Sequence, residues 1–452
     1  MAVPYSEECM MTMEDNAGME DKKEAFLINT LDISAAGKNC KVLLGDINGD
    51  GRMELVCVQA NGGTDSRYIP FYVTCVTAYA LTGELLWQLG TPWNEPGGFG
   101  ADFPAQIYDI DGDGRLEIIA VMDKDKTAAD KTMEAVCKEI TVIDGATGEV
   151  KRTKQIPAPE AHDCILIANL SGNPTAREII VKDRYENMWA LDENFDVMWT
   201  HSGNLGHFPL VYDINGDGRD EIMAGYDMLS ADGVLMWSCK NLDDHADCLW
   251  IGDVNGDGKL EICVGGSVTC LYDMNGNELW RYDGSIESQH IALGKYIPGA
   301  PGLQVSGLDR ISRGDGYKGM WHGRDGMFLL DCEGKEIWKE DRKTDGWLTI
   351  VNTYRNWNGD GRDYILAYRR GGGVMPALYD GDMNVVVSFP EDGYVVSADL
   401  FGRDIEDTVI YADGKVWIYS GTAYDLTQAP SGRQLAQTEK LFRSTLYPGC
   451  IY

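Results

Sequence analysis

A nine-residue acidic turn recurs along this 452-residue chain. Asp46-Ile-Asn48-Gly-Asp50-Gly-Arg-Met-Glu54 is the first copy and Asp109-Ile-Asp111-Gly-Asp113-Gly-Arg-Leu-Glu117 the second. Asp213, Asn215, Asp217 and Glu221 repeat the spacing, as do Asp253, Asn255, Asp257 and Glu261. Asn356-Trp-Asn358-Gly-Asp360-Gly-Arg-Asp363 is a weaker copy. Each copy must fold into the same unit and bury its apolar side against a neighbour, so the repeat dictates the architecture. An apolar run precedes each turn and another follows it. Further on come a third run, a tight turn such as Asn275-Gly276 or Thr82-Gly83, and a fourth run with a tryptophan. Such turns favour positive φ and join antiparallel strands. The unit is a four-stranded meander of about 40–45 residues, the size of one propeller blade.

Eight units follow, their turns starting near Asp46, Asp109, Asn169, Asp213, Asp253, Ile297, Asn356 and Asp399. The expected fold is all-β, an eight-bladed β-propeller over residues 39–429, with a seven-bladed ring as the alternative. Residues 1–38 flank it, and the 430–452 tail, or the N-terminal flank, is a candidate strand for closing the ring. The formal net charge of −33 argues against a nucleic-acid partner. No run of 18 apolar residues suggests a membrane span. The 12 cysteines are scattered, many inside apolar runs, without zinc-knuckle or redox spacing. With no signal peptide visible in the first 20 residues, buried thiols and a cytoplasmic location are expected.

The acidic turns carry oxygen ligands at positions one, three, five and nine, the shell that a hard cation needs. Ca²⁺ is the expected ion, in a structural role, at Asp46, Asn48, Asp50, Glu54, Asp109, Asp111, Asp113, Glu117, Asp213, Asn215, Asp217, Glu221, Asp253, Asn255, Asp257 and Glu261. An EF-hand is excluded by the missing Glu at position twelve and by the strand-like flanks.

Chemistry is expected at the other end of the strands. The acidic turn joins the first strand of a unit to the second, so the start of the first and the end of the second share the opposite face. Four of the six histidines open first strands: His162, His207, His245 and His290. Lys182, Arg184, Arg310, Arg369 and Arg370 mark the ends of second strands, with Tyr185 and Tyr226 similarly placed, and His322 lies in a loop on the same face. Repeats also share residues for packing reasons alone. Imidazoles and guanidinium groups gathered on one face of so acidic a chain nevertheless favour an anionic ligand. A zinc site would need histidines of several units to converge on one ion.

At these residues the chain resembles a polysaccharide lyase propeller. The stretches from Val211 to Gly225, Ala231 to Leu235 and Asp244 to Asp253 resemble the core of rhamnogalacturonan lyases of family 11. That family has a His-Gly-Asp-Ala segment before an acidic turn; here it reads His245-Ala-Asp247-Cys. His290-Ile-Ala-Leu-Gly-Lys295 and Pro301 to Arg310 resemble related lyases that cleave rhamnose–glucuronate linkages. The resemblance implies an eight-bladed calcium-binding propeller that cleaves an acidic oligo- or polysaccharide by β-elimination. A proton α to a carboxylate is removed only if a cation neutralises that carboxylate, while a base and an acid of suitable pKa move protons. Arg184 and Arg310 are assigned to the carboxylate, and His207 and His245 to base and acid. His162, His290, Tyr185, Tyr226, Arg369 and His322 are assigned to sugar positioning. The main alternative is a non-catalytic carbohydrate- or protein-binding propeller with integrin-like FG-GAP repeats. Ala80 to Trp87 is also similar to the tryptophan motif of quinone-dependent dehydrogenases, but their paired cysteines are missing. A glycoside hydrolase would need two opposed carboxylates, for which Asp183, Asp227, Asp247 and Asp309 are candidates.

Overall fold

The computed structural model describes residues 23–38, 40–60, 73–92, 105–122, 138–312, 324–341, 349–369, 374–412 and 414–428. Among them one short turn, Ser34–Ala36, is helical, and the other elements are 32 β-strands. The fold is all-β. Strands pair four at a time, in sequence order, as antiparallel meanders. The third unit shows the scheme: Cys164–Ala168, Glu178–Lys182, Asn187–Leu191 and Val197–Ser202 lie side by side. The fourth to seventh units repeat it from first strands Leu210–Tyr212, Cys248–Gly252, Ser288–Gly294 and Thr349–Arg355. The first two, opening at Cys40–Gly45 and Ala105–Tyr108, merge into one eight-stranded sheet through a single parallel pair, Val73 with Met122. The last takes Tyr394–Ala398, Asp407–Ala412 and Lys415–Ser420, and its outer strand is Phe26–Asp32, paired with Lys415–Ser420. A strand of the 1–38 flank thus completes the last unit, and the tail 430–452 lies outside the described residues.

Burial explains the order within a unit. Cys164–Ala168 and Glu178–Lys182 are buried throughout, whereas Val197–Ser202 alternates between exposed and half-buried. Continuous apolar runs need cover on both faces, and an edge strand needs it on one. The cover comes from the neighbouring unit. Val76 and Ile107 share a layer between the first and second units, and Ile140 and Ile165 one between the second and third. A continuous layer runs from Leu166 to Ile365 across the third to seventh. Tyr354 and Ile410 join the seventh and eighth, and Val409 and Val42 join the eighth back to the first.

The tryptophans of the outer strands fix the spacing of adjacent sheets. The indole Nε1 of Trp87 donates to Gly145 O at 2.8 Å, Trp199 to Ala231 O at 2.9 Å, Trp237 to Met274 O at 3.1 Å and Trp280 to Cys332 O at 3.0 Å. Each acceptor lies in the outer turn of the next unit. The ring face lies on that turn's glycine: a Cβ at Gly233 (φ +75°) would stand 2.5 Å from the Trp199 ring. Gly299 has nearly the same backbone angle (φ +78°) with nothing within 4 Å of a Cβ. Gly299→Ala should therefore cost roughly 1–2 kcal/mol, the left-handed backbone penalty alone. Gly233→Ala should cost a further 1–3 kcal/mol, roughly, from overpacking. Urea unfolding of the two variants checks this, and equal losses would deny the indole its spacing role.

Candidate active site

Strand register decides which ends meet. Cys164 pairs with Lys182, Leu210 with Met223, Cys248 with Gly265, Ser288 with Asp309 and Thr349 with Arg369. At the other end Ala168 faces Glu178, Tyr212 faces Glu221 and Gly252 faces Glu261. The histidine-bearing strand starts therefore lie with the ends of second strands, away from the acidic turns.

The entries to the fourth and fifth units come closest. A Cβ at Gly206 (φ +61°) would stand 2.4 Å from Ala246 O, so only glycine permits this approach. The His207 N–H then donates to Ala246 O at 3.0 Å. The two imidazoles meet, with His207 Nε2 3.1 Å from His245 Nε2. Both nitrogens lie 3.4 Å from Asp247 Oδ1. Tyr185 packs on both rings, with centroids 5.4 Å and 4.8 Å away. Arg184 lies over the Tyr185 ring at 5.4 Å and pairs with Asp163 at 3.3 Å, beside Lys182. His207, Asp247 and Arg184 are buried, whereas the His245 side chain is 20% exposed and Tyr185 is half-buried.

One Nε2 must donate and the other accept, so the histidines share a proton position. His245 Nδ1 also meets Asp244 Oδ1 at 2.6 Å. Burial opposes a charge on His245, but Asp247 and Asp244 outweigh it and hold its pKa above the usual value. Asp244 itself has a left-handed backbone, φ 63°, the kind of strain that functional sites store. The donor atoms of His207, His245 and Asp247 lie within 4.8 Å of one another, close enough to hold a cation as well as a proton.

The other expected residues lie apart from this cluster or serve it indirectly. Tyr226 is buried, its hydroxyl 3.5 Å from Asp243 O, beneath the His245 segment. His162 is buried, and burial followed by the Lys138 charge pushes its pKa down to about 3, so it is neutral. His290 is fully buried in Ser288–Gly294. Arg310 pairs with Glu287, and Asp309 accepts the Ile286 and Glu287 N–H groups at 2.7 and 3.1 Å, a second charged cluster in the sixth unit. His322 lies outside the described residues, as does the Arg369 side chain. Sequence reasoning left Asp163 and Asp244 out of the site and weighed Asp247 only as a carboxylate for a glycoside hydrolase. The signal was present as acids flanking histidine, in His162-Asp163 and Asp244-His245-Ala-Asp247. It also passed over His201, whose Nε2 lies 3.1 Å from Asp227 Oδ2.

The acidic turns share one frame. In the first, Glu54 accepts Ile47 N–H at 3.0 Å and the Asn48 amide at 2.8 Å. Glu221 and Glu261 take the same bonds from Ile214 with Asn215 and from Val254 with Asn255. Burial, and then the charges of Asp50 and Asp46, push the Glu54 pKa up to about 8. In the fifth turn Asp253 Oδ1 is buried and makes no hydrogen bond. A buried carboxylate oxygen of that kind, with Asp257 and Glu261 beside it, fits the oxygen shell of a hard cation. In the second turn a lysine, Lys151, stands among the acids.

An all-β chain of repeated sheets, with clustered histidines at one end and acidic turns at the other, is the class of protein seen here. A model of the FG-GAP-like repeat matches residues 46–120. Its homologues and structural neighbours include rhamnogalacturonan lyases. The chain is 24% identical over 429 residues to the rhamnogalacturonan exolyase YesX of Bacillus subtilis (strain 168), covering 81% of this chain and 68% of that one. It is 25% identical over 266 residues to the rhamnogalacturonan endolyase YesW of the same organism, covering 48% of this chain and 42% of that one. The crystal structure of YesX superposes with a TM-score of 0.67 at 19% identity, covering 91% and 77% of the two chains.

Asp244→Asn keeps the left-handed backbone accessible, because Asn tolerates it, and removes one attraction on the His245 imidazolium. The His245 pKa should fall, and proton NMR titration should place its midpoint at lower pH than in the wild type. An unchanged midpoint would mean that Asp247 alone sustains the shift.

Proposed function

We propose that the chain is a rhamnogalacturonan-type polysaccharide lyase that cleaves a rhamnose–uronate glycan by β-elimination. The observation that carries this is the contact of His207 and His245 on Asp247, in a chain whose relatives are named as such lyases. We read the sheets, whose apolar layers run from the first unit to the eighth and back, as an eight-bladed propeller. The first, fourth and fifth acidic turns are read as structural calcium sites, supported by the orphaned Asp253 oxygen and the raised Glu54. Nine described cysteines are free, most of them buried, which supports a reducing, cytoplasmic setting.

In the proposed reaction one histidine of the pair takes the proton α to the uronate carboxylate. The other protonates the departing sugar oxygen. Asp247 and Asp244 keep His245 protonated to higher pH, which suits it to the acid role, and leave His207 as the base. Arg184, beside Tyr185, is the nearest guanidinium for the substrate carboxylate. Arg310, in the sixth unit, is assigned to a neighbouring sugar position, whereas the fully buried His290 takes no part in binding. A divalent cation held by His207, His245 and Asp247 would occupy these same nitrogens and so replace this acid–base assignment.

His245→Ala and His207→Ala should each lower kcat by about 10²–10⁴-fold. Release of unsaturated uronate from rhamnogalacturonan, followed by ultraviolet absorbance, measures it. His201→Ala, outside the cluster, should leave the rate within a few-fold. Glycan binding without any unsaturated product would favour the non-catalytic alternative. Activity that falls on dialysis against EDTA in wild type, with the ion count unchanged in His245→Ala, would assign the metal to the acidic turns and not to the histidines.

A further inference from the structure

We propose that the Lys151 ammonium is the built-in cation of the second acidic turn, which therefore takes up no metal ion. The inference rests on the calcium reading of the first, fourth and fifth turns and departs from it at this one. Lys151 belongs to the outer strand Val150–Gln155. Its Nζ lies 2.5 Å from Asp111 Oδ2, 2.8 Å from Glu117 Oε1 and 3.2 Å from Asp113 Oδ2. Those are the third, ninth and fifth positions of the turn. An ammonium has three donors, and here each meets a carboxylate. A calcium ion among the same oxygens would have to share their centre with a positive charge.

The repeat shows that this lysine is a departure. Counted from the outer turn, its place is held by Leu86 in the first unit, Met198 in the third, Met236 in the fourth and Leu279 in the fifth. The units of the three other complete acidic turns thus carry an apolar residue at this position. The fifth turn has its own lysine, but Lys259 lies 3.6 Å from Asp257 with 81% of its side chain exposed. The incomplete turns follow the same logic as the second. In the seventh, where Tyr364 replaces the ninth-position acid, Lys23 pairs with Asp360. In the eighth, Arg403 stands at the fifth position and donates to Asp407 at 2.8 Å. In the sixth, Lys295 donates to Ala300 O at 2.9 Å and Gly302 O at 2.8 Å.

The test strips the full chain with EDTA, adds calcium and counts bound ions by equilibrium dialysis with metal analysis. Lys151→Met borrows the residue that the third and fourth units use. It should bind one calcium more than the wild type, whereas Lys151→Arg should match the wild type. In EDTA, Lys151→Met should melt several degrees lower, and calcium should restore it. Equal ion counts in the wild type and Lys151→Met, or unchanged melting in EDTA, would overturn the proposal. So would an extra ion in Lys151→Arg, which keeps the test alive should the Met variant not fold. A wild type that binds no calcium at all would remove the reading of the other turns. A first ion gained by Lys151→Met alone would still support the proposal in that case.

Discussion

Everything in this fold depends on one sheet finding its neighbour at the right distance, and at four of the junctions an indole-on-glycine contact sets that distance. A four-stranded meander has two apolar faces and cannot be stable alone. The apolar layers supply most of the free energy but little geometry, because hydrophobic burial is non-directional. The tryptophan adds direction: a flat ring fills the notch that a Cβ would close, and its N–H reaches a turn carbonyl of the next unit. The second unit keeps the contact with other chemistry. Arg152 stands where the tryptophan would be, donates to Glu193 O at 2.7 Å and lies 4.1 Å over the Phe195 ring. Phe195 there carries the positive φ, 61°, that glycine carries elsewhere. What persists is a planar donor against a turn carbonyl, and the residue types that provide it vary.

Sheets so spaced bring strand starts of adjacent units within reach of one another. The histidine pair is a consequence. His207 and His245 are 38 residues apart in sequence and belong to different sheets, yet their nitrogens touch because Gly206 lets the two backbones close. A site built between sheets inherits their rigidity. The third unit meets the site through Lys182, Arg184 and Tyr185 at one strand end. A shift in the spacing of the third and fourth sheets would therefore move the guanidinium and both imidazoles relative to one another.

Much of this was legible in the sequence. The acidic turns fixed where first strands end, and the residues from Asp46 to Asp399 that marked turn starts all fall between first and second strands. Strand polarity then placed histidines and acidic turns at opposite ends, as the register has them. The grouping within the histidine face was not legible. His162, His207, His245 and His290 hold similar places in their repeats, yet His207 meets His245 while His162 and His290 are buried in their own units. Repeat position gives the end of the strand, and only the local backbone, such as the left-handed Asp244 or the bulge between Ser288 and His290, decides where the ring points. Asp247 stood beside His245 in the sequence, yet in so acidic a chain its role does not separate from that of other aspartates until its partners are known.

The charge of −33 takes on a different meaning once each turn is considered separately. Carboxylates crowded in a turn repel one another and are costly to bury, as the upward shifts of Glu54, Glu221 and Glu261 record. A turn can be neutralised by an ion from solution or by a side chain of the protein itself. The first makes the stability of that unit conditional on the medium through mass action. The second makes it independent, at the cost of fixing a long side chain. Units whose acids meet Lys151, Lys23 or Arg403 belong to the second kind. On the calcium reading the fourth and fifth units belong to the first kind. Those are the units that supply His207 and His245, so the sheets nearest the proposed chemistry are the ones whose stability an ion in the medium would control.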